Sequence, residues 1–377
     1  MKKKIIRIST VPISLDLLLK GQLKMLAEEW EVVAVSSPGK ELERVAIREG
    51  VRTVAVPMER KISPIKDLIS LFRLVKLFHK EKPTMVHSLT PKAGLLAMIA
   101  AWLCRVPVRI HTFTGLVFPT AKGIKQKILI ATDRLTCRCA TFINPEGEGV
   151  KRDLAKYHIT EKPLNIIGNG NISGIDLETF SRSEKIMDAA EKIRKEGLTT
   201  FCFVGRIVSD KGINELVAAF EELHEKYPAT RLLLVGTLED SDPLKQETLV
   251  AINNNQAIEF AGWQTDIRPY LAASDIFVFP SYREGFPNVV LQAGAMGLPA
   301  IVTDINGSNE IIKEGVNGTI IEPRDKEQLK NAMERVLTDE KLRKKFASNA
   351  RAVIASRYEQ KKMWEALRAI YRSLIGE

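Results

Sequence analysis

Two apolar patterns alternate along this chain. One is a short run rich in Val and Ile with no polar face, as at Ile5 to Ile8, Glu31 to Ser37, Val51 to Pro57, Thr84 to Leu89, Val106 to Thr114 and Thr141 to Asn144. The other is a longer stretch with helical spacing, as at Ile13 to Glu29, Pro64 to Lys80 and Lys92 to Cys104. A second series follows, with runs at Thr199 to Gly205, Arg231 to Gly236, Ala257 to Gly262, Ile276 to Pro280, Ala300 to Asp304 and Thr319 to Glu322. Helical stretches such as Gly212 to Tyr227 and Asn288 to Met296 separate these runs. Strands that are apolar on both faces need cover on both faces, and crossover helices of roughly 10 to 20 residues supply it. The pattern therefore predicts two doubly wound α/β domains in tandem, each on a parallel sheet. Gly168-Asn-Gly-Asn-Ile-Ser-Gly174 places three Gly and two Asn in seven residues between the two series and reads as a hinge. The expected domains are 1–168 and 169–357, with a last helix within 358–377 lying back on the first domain. Ligands of such sheets bind beyond the carboxyl ends of the strands, so two such domains facing each other would line a cleft with functional loops.

Composition narrows the classes. Of 377 residues, 45% are apolar and 27% charged, which excludes a disordered, collagen-like or coiled-coil chain. The longest apolar run, Ala93 to Cys104, is 12 residues, well short of the ~20 that cross a bilayer as a helix. The N-terminal cations resemble those of a secretory signal, but Ser9, Thr10, Pro12, Ser14 and Asp16 interrupt the apolar part, so a cytoplasmic protein is expected. Cys104, Cys137, Cys139 and Cys202 are too few for a disulfide framework and lack a second pair at metal-ligand spacing; reduced thiols are expected. The net charge of +10 is one-sided: residues 1–165 hold 29 Lys and Arg against 15 Asp and Glu, and the remainder 27 against 31. A basic first half attracts nucleic acid, an acidic membrane surface or phosphorylated substrates, though solubility alone is an equal explanation.

Two constellations carry chemistry. From Phe277 to Gly297 a buried strand ends at Pro280, a polar loop bears Arg283 and Glu284, Gly285 allows close approach, and Pro287 or Asn288 opens a helix. Such a helix start aims unpaired N–H groups and a positive dipole end at an anion. Glu284 has no cationic partner nearby in sequence, and Gln292 lies one turn into the helix. A charged loop capping a packed helix is the alternative. In the second constellation a strand ends in Gly205, Arg206 follows at its carboxyl end, and Lys211 precedes the next helix. A guanidinium fork and an ammonium on one strand-loop-helix turn suit a diphosphate. The alternative is a surface pairing of Lys211 with Asp210 or Glu215.

Gly205-Arg206 with Lys211, followed by Glu284-Gly-Phe-Pro-Asn288 and a polar residue at 292, resembles the retaining glycosyltransferases of family four, which have the GT-B fold. The likeness extends over nearly the whole chain. Pro83-Thr-Met-Val-His-Ser-Leu-Thr-Pro-Lys-Ala-Gly94 and Val108-Arg-Ile-His111-Thr-Phe-Thr-Gly115 are similar to the family's first-domain loops. The variant Ser281-Tyr-Arg-Glu-Gly-Phe-Pro-Asn288, with Asp304-Ile-Asn-Gly-Ser-Asn-Glu310, is nearest to enzymes of capsule, O-antigen or exopolysaccharide assembly. The resemblance implies that Arg206 and Lys211 hold the donor diphosphate as the sugar leaves. It implies that Glu284, with Gly285, Phe286, Pro287 and Asn288, binds the donor sugar, and that His111 at the end of its strand contacts that sugar. Gln292 stands where the family usually has a second Glu bonded to the ribose, and loses the charge-assisted bond, a difference of ~1 kcal/mol. His87, placed at a strand end, Lys92 and Ser14 would line the acceptor side, where Ser9-Thr-Val-Pro-Ile-Ser14 replaces the family's Gly-Gly turn.

The implied reaction moves a sugar from a nucleoside-diphosphate sugar, most simply a UDP-sugar, to a lipid-diphosphate-linked glycan, without metal or other cofactor. Asp240-Ser-Asp242 offers a carboxylate pair for a metal, but Asp242-Pro243 is expected to start a helix instead. The basic, apolar stretches Lys61 to Lys82 and Lys122 to Arg138 suit an anionic lipid surface at the inner face of the membrane, or are ordinary solvated helices. Two rivals remain. A nucleotide-sugar 2-epimerase of the same fold would need more carboxylates near the sugar than Glu284. A nucleic-acid binder would use the basic half, yet only 6% of residues are aromatic and no stacking platform accompanies the charge.

Overall fold

The computed structural model describes residues 2–59 and 62–376, so Lys61, the first residue of one basic stretch, lies outside the described residues. The chain divides into two compact units, Met1–Gly174 with Lys361–Glu377, and Ile175–Gln360. The boundary falls at Gly174 rather than 168.

The first unit runs β1 (Lys4–Ile8), α1 (Pro12–Leu18), α2 (Gln22–Ala27), β2 (Glu31–Ser36), α3 (Lys40–Glu49), β3 (Arg52–Ala55), α4 (Pro64–Glu81), β4 (Met85–Leu89), α5 (Pro91–Leu103), β5 (Val108–Phe113), α6 (Gly123–Cys139), β6 (Phe142–Pro145) and α7 (Glu148–Lys156). Its six strands are all parallel, in the order β3-β2-β1-β4-β5-β6. The helix expected over 13–29 is two helices, because the chain turns at Gly21 with φ +78°.

The second unit runs α8 (Glu184–Glu191), β7 (Thr199–Val204), α9 (Ile213–Lys226), β8 (Thr230–Val235), α10 (Gln246–Asn254), β9 (Ile258–Gly262), α11 (Arg268–Ala272), β10 (Ile276–Phe279), α12 (Asn288–Ala295), β11 (Ala300–Thr303), α13 (Ser308–Ile311), β12 (Gly318–Ile321), α14 (Lys326–Thr338) and α15 (Glu340–Tyr358). Its strands are also parallel, in the order β12-β11-β10-β7-β8-β9. The last expected helix is α16 (Gln360–Ile375), set off from α15 at Glu359, and it belongs to the first unit. There Arg368 pairs with Glu28, Arg372 with Glu29 at 2.7 Å, and the Tyr371 ring packs edge-on against Trp30.

The inner strands of both sheets are buried on both faces, which is why they carry no polar side, while the edge strands β3 and β9 are partly exposed. Strand order reverses between β1 and β4 in one sheet and between β7 and β10 in the other. Crevices at the carboxyl ends of these pairs are the default ligand positions of such sheets.

Candidate functional site

The loop after β7 carries Gly205, Arg206 and Lys211, and it is braced from below. Asp242 accepts a hydrogen bond from the Asp210 amide at 2.7 Å, and the Ser209 hydroxyl donates to the Pro243 carbonyl at 2.6 Å. Asp242-Pro243 therefore does not open a helix; α10 begins at Gln246, and the carboxylate is spent on the Lys211 turn. Gly212 closes that turn at φ +70°. A Cβ there would stand 2.1 Å from the Pro280 carbonyl oxygen, so only glycine lets the turn lie against the end of β10.

The loop after β10 meets it. The Tyr282 amide donates to the Asp210 carbonyl at 2.8 Å, and the Tyr282 hydroxyl donates to Glu215 at 2.5 Å. Arg283 pairs with Asp210 at 3.1 Å. Lys211 is 9% exposed, and its ammonium bonds to Glu284 and lies 3.5 Å from the Ser281 hydroxyl. Glu284 thus has the cationic partner that its sequence neighbours lack. Lys211 pairs with neither Asp210 nor Glu215. Arg206 is exposed and bonds to Glu239 at 3.1 Å, with Asp210 at 3.8 Å. The ion pairs of the cluster join three cations (Arg206, Lys211, Arg283) to three carboxylates (Asp210, Glu239, Glu284), and Asp242 and Glu215 add two more acids beside them.

Beyond Glu284 the chain passes Gly285, buried Phe286 on the Tyr358 ring at 5.4 Å, and Pro287, which caps α12 with extended backbone. The first turn of α12 starts at Asn288. Gln292 lies one turn on, half-buried and with no side-chain hydrogen bond among the described residues. Arg206, Lys211, Glu284 and the start of α12 therefore share the switch point of one sheet, with the positive end of α12 supplying donors for an anion.

The first unit treats its residues differently. His111 is the fourth of six residues in β5, not at its end, and is 1% exposed. Its Nδ1 lies 2.9 Å from the Ser88 hydroxyl, its ring packs on Phe113, and a Cβ on Gly94 would come within 2.3 Å of it. Burial pushes its pKa down to about 3, so the imidazole is neutral at physiological pH. His87 is likewise inside its strand and fully buried. Its Nδ1 meets the Tyr371 hydroxyl at 2.5 Å and its Nε2 the Thr112 hydroxyl at 2.7 Å. With both ring nitrogens engaged beneath α16, His87 is a core residue and leaves the acceptor side. Lys92 is held by Asp67 at 2.7 Å on the first turn of α5, and Ser14 is half-buried in α1.

Sequence reasoning missed the pair that closes the β1/β4 crevice. The Thr10 and Thr90 hydroxyls lie 2.8 Å apart, the Thr10 amide donates to Thr90, and Thr90 adopts φ +68°. Its signal was a Thr before Pro91 just past a strand end. Among the described residues no three His, Cys, Asp or Glu side chains gather as metal ligands.

Comparison with known proteins follows the same division. Residues 185–353 match the model of glycosyl transferases group 1, and residues 21–170 that of the glycosyl transferase 4-like domain. The capsular polysaccharide biosynthesis glycosyltransferase CapM of Staphylococcus aureus is 32% identical over 378 aligned positions, covering 100% of this chain and 98% of that protein. The UDP-Gal:alpha-D-GlcNAc-diphosphoundecaprenol alpha-1,3-galactosyltransferase of Escherichia coli is 32% identical, covering 87% of this chain and 85% of its own. The crystal structure of Anabaena Alr3699/HepE in complex with UDP and glucose matches in fold with a TM-score of 0.83 at 17% identity, covering 98% of this chain and 100% of that one.

Proposed function

The chain belongs to the group 1 glycosyltransferases and has the GT-B fold, and from that premise we propose that it is a retaining hexosyltransferase. It takes sugar from a UDP-sugar and delivers it to a lipid-diphosphate-linked glycan in bacterial surface polysaccharide assembly. The observation that carries this reading is the meeting of Lys211 and Glu284 beside the start of α12. The donor and acceptor classes draw on the galactosyltransferase relative, whose name specifies both UDP-Gal and a diphosphoundecaprenol acceptor, and the pathway on the capsule relative.

Breaking the bond between the anomeric carbon and the diphosphate oxygen leaves negative charge on the diphosphate and positive charge on the sugar. Lys211, Arg206 and the amides of α12 act on the first of these. Fixed donors in a partly desolvated site need no reorganisation as that charge develops. Arg206 gives up Glu239 to reach the diphosphate, and an exposed pair of this kind costs at most ~1 kcal/mol to break. Glu284, with the backbone of Gly285 to Asn288, holds the sugar hydroxyls, and Gln292 hydrogen-bonds the ribose. Ser14 and Lys92 serve the acceptor. Catalysis needs no metal, and the acceptor's lipid confines the reaction to the surface of the membrane.

The test is a thermal-shift panel of sugar nucleotides, followed by transfer to a polyprenyl-diphosphate sugar in the presence of EDTA. A UDP-sugar should raise the melting temperature, and NMR should show the donor's anomeric configuration in the product. Turnover that EDTA abolishes and manganese restores, or an inverted product, would overturn the reading.

A further inference from the structure

Ser281 lies at the centre of the loop after β10. It is fully buried, and its hydroxyl stands among four polar groups. The Glu284 carboxylate is nearest at 3.1 Å, with the Arg283 carbonyl at 3.2 Å, the Asp210 carbonyl at 3.4 Å and the Lys211 ammonium at 3.5 Å. A hydroxyl has one proton to give. An ionised acceptor makes the stronger bond, and the Asp210 carbonyl already accepts from the Tyr282 amide at 2.8 Å. The proton therefore goes to Glu284, and the oxygen is left to accept from Lys211. The backbone that carries this hydroxyl is fixed from two sides. Thr303, buried at the end of β11, donates to the Ser281 carbonyl at 2.5 Å, and the Tyr282 hydroxyl donates to Glu215 on α9 at 2.5 Å. A short side chain on a held backbone has little freedom to lose, so its bond is preorganised.

Among the described residues Lys211 is the one cation paired with Glu284; Arg283 is held by Asp210 and Arg206 by Glu239. If Lys211 binds the donor diphosphate, that ammonium leaves the carboxylate at the moment the sugar arrives. The Glu284 side chain is only 19% exposed, and a carboxylate left without a donor in so dry a place turns toward water. It would then turn away from the sugar. We propose that Ser281 is a positioning residue for Glu284: when the diphosphate takes up Lys211, the Ser281 hydroxyl stays on the carboxylate and keeps it aimed at the hydroxyls of the donor sugar. Donor binding is then an exchange of partners, in which Lys211 passes from carboxylate to phosphate and Glu284 keeps its serine and gains the sugar. This deepens the donor reading and rests on its assignments of Lys211 and Glu284.

The experiment is isothermal titration of the full chain with UDP and with UDP-galactose, UDP-glucose and their N-acetylated forms, repeated on variants. The dissociation constant for UDP divided by that for the tightest UDP-sugar reports the sugar's share of binding. With UDP, water fills the place of the sugar and can hold the carboxylate, so Ser281→Ala should weaken UDP less than about threefold. A UDP-sugar displaces that water, and the ratio should fall about tenfold or more, the factor for a bond to a charged group. Ser281→Thr keeps the hydroxyl and should hold the ratio within about threefold of wild type, whereas Ser281→Val, of the same bulk, should fall with the Ala variant. Tyr282→Phe loosens the loop on its far side and should also stay within about threefold. Thermal melts check folding, and the Ala variant, which only removes an oxygen, remains readable if the bulkier two do not fold. Equal weakening of UDP and UDP-sugar, a Val variant that binds as Thr does, or an equal fall in Tyr282→Phe would overturn the proposal while leaving the donor reading in place. A wild type that binds none of these nucleotides would overturn the donor reading and this inference with it.

Discussion

The two units share one plan and treat their chemistry-bearing residues in opposite ways. In the second, Lys211 and Glu284 lie past the ends of β7 and β10, the strands where the order reverses, and they find each other. In the first, His87 and His111 each lie two residues short of a strand end, and both are sealed in the sheet. Two residues along a strand is one repeat of the pleat, so these side chains still face a covered layer. Position relative to the last ladder bond, more than residue type, separates a site from a core.

The largest expected effect tests the open half of that contrast. Lys211→Ala or Glu284→Gln should lower kcat by about 100- to 1000-fold, the range for losing one fixed donor to developing charge. His87→Asn should change kcat less than about threefold while costing roughly 1–3 kcal/mol of stability, because it strands the Tyr371 and Thr112 hydroxyls. Transfer assays beside urea unfolding separate the two classes, and a kcat collapse at His87 would erase the distinction. Next in size is Gly212→Ala. Its left-handed backbone and the Pro280 carbonyl 2.1 Å from the new Cβ should cost at least about 1–3 kcal/mol of stability and loosen the pair with Glu284. A melt indistinguishable from wild type would show that the two loops are not held by that contact.

The sealed half makes a prediction about pH. Burial holds His111 near 3 and His87 well below its ordinary 6.5, so below about pH 6.5 the unfolded chain takes up protons that the folded chain refuses. Stability then falls as pH falls. Glu146, 6% exposed after β6, works the other way, with burial pushing it up to about 8. Between about 4.5 and 8 the unfolded chain has released this proton and the folded chain retains it, so stability falls as pH rises. Asp133, which burial pushes up to about 7, adds a second slope of this sign, so between about 4.5 and 6.5 the two histidines and the two carboxyls nearly cancel, and stability should fall below that range and again above it, each group contributing a slope of at most ~1.4 kcal/mol per pH unit. His111→Gln should flatten the acid side and Glu146→Gln the alkaline side, both read by urea unfolding across pH. A profile flat from acid to alkaline would mean that these groups are solvated.

The layering was legible in the sequence because it is a local property. A strand with no polar side announces a covered sheet, and each run from Ile5 to Glu322 became a parallel strand. What failed depended on distant partners. Asp242-Pro243 has the pattern of a helix start, but its carboxylate is claimed by the Asp210 amide, 32 residues away. The partner of Glu284 is 73 residues upstream, beyond any spacing rule. The ends of β4 and β5 fall within one residue of those expected, Leu89 and Thr114, so the error lay in placing His87 and His111 at ends from which each is two residues short.

The smallest effect sharpens the open half from within. Gln292 follows Asn288 by one turn of α12, and its side chain has no hydrogen-bonding partner among the described residues. If it faces the ribose, Gln292→Glu exchanges a neutral acceptor for a charged one, a gain of about 1 kcal/mol, or roughly fivefold in donor KM. The same change brings a further carboxylate toward the cluster, and a diphosphate would feel it. Distance decides between these effects: a carboxylate bonded to a ribose hydroxyl is shielded from the phosphates, and one left unbonded repels them. Lower KM with kcat unchanged would assign Gln292 to the ribose, and higher KM that added salt relieves would place it on the phosphate side of the site.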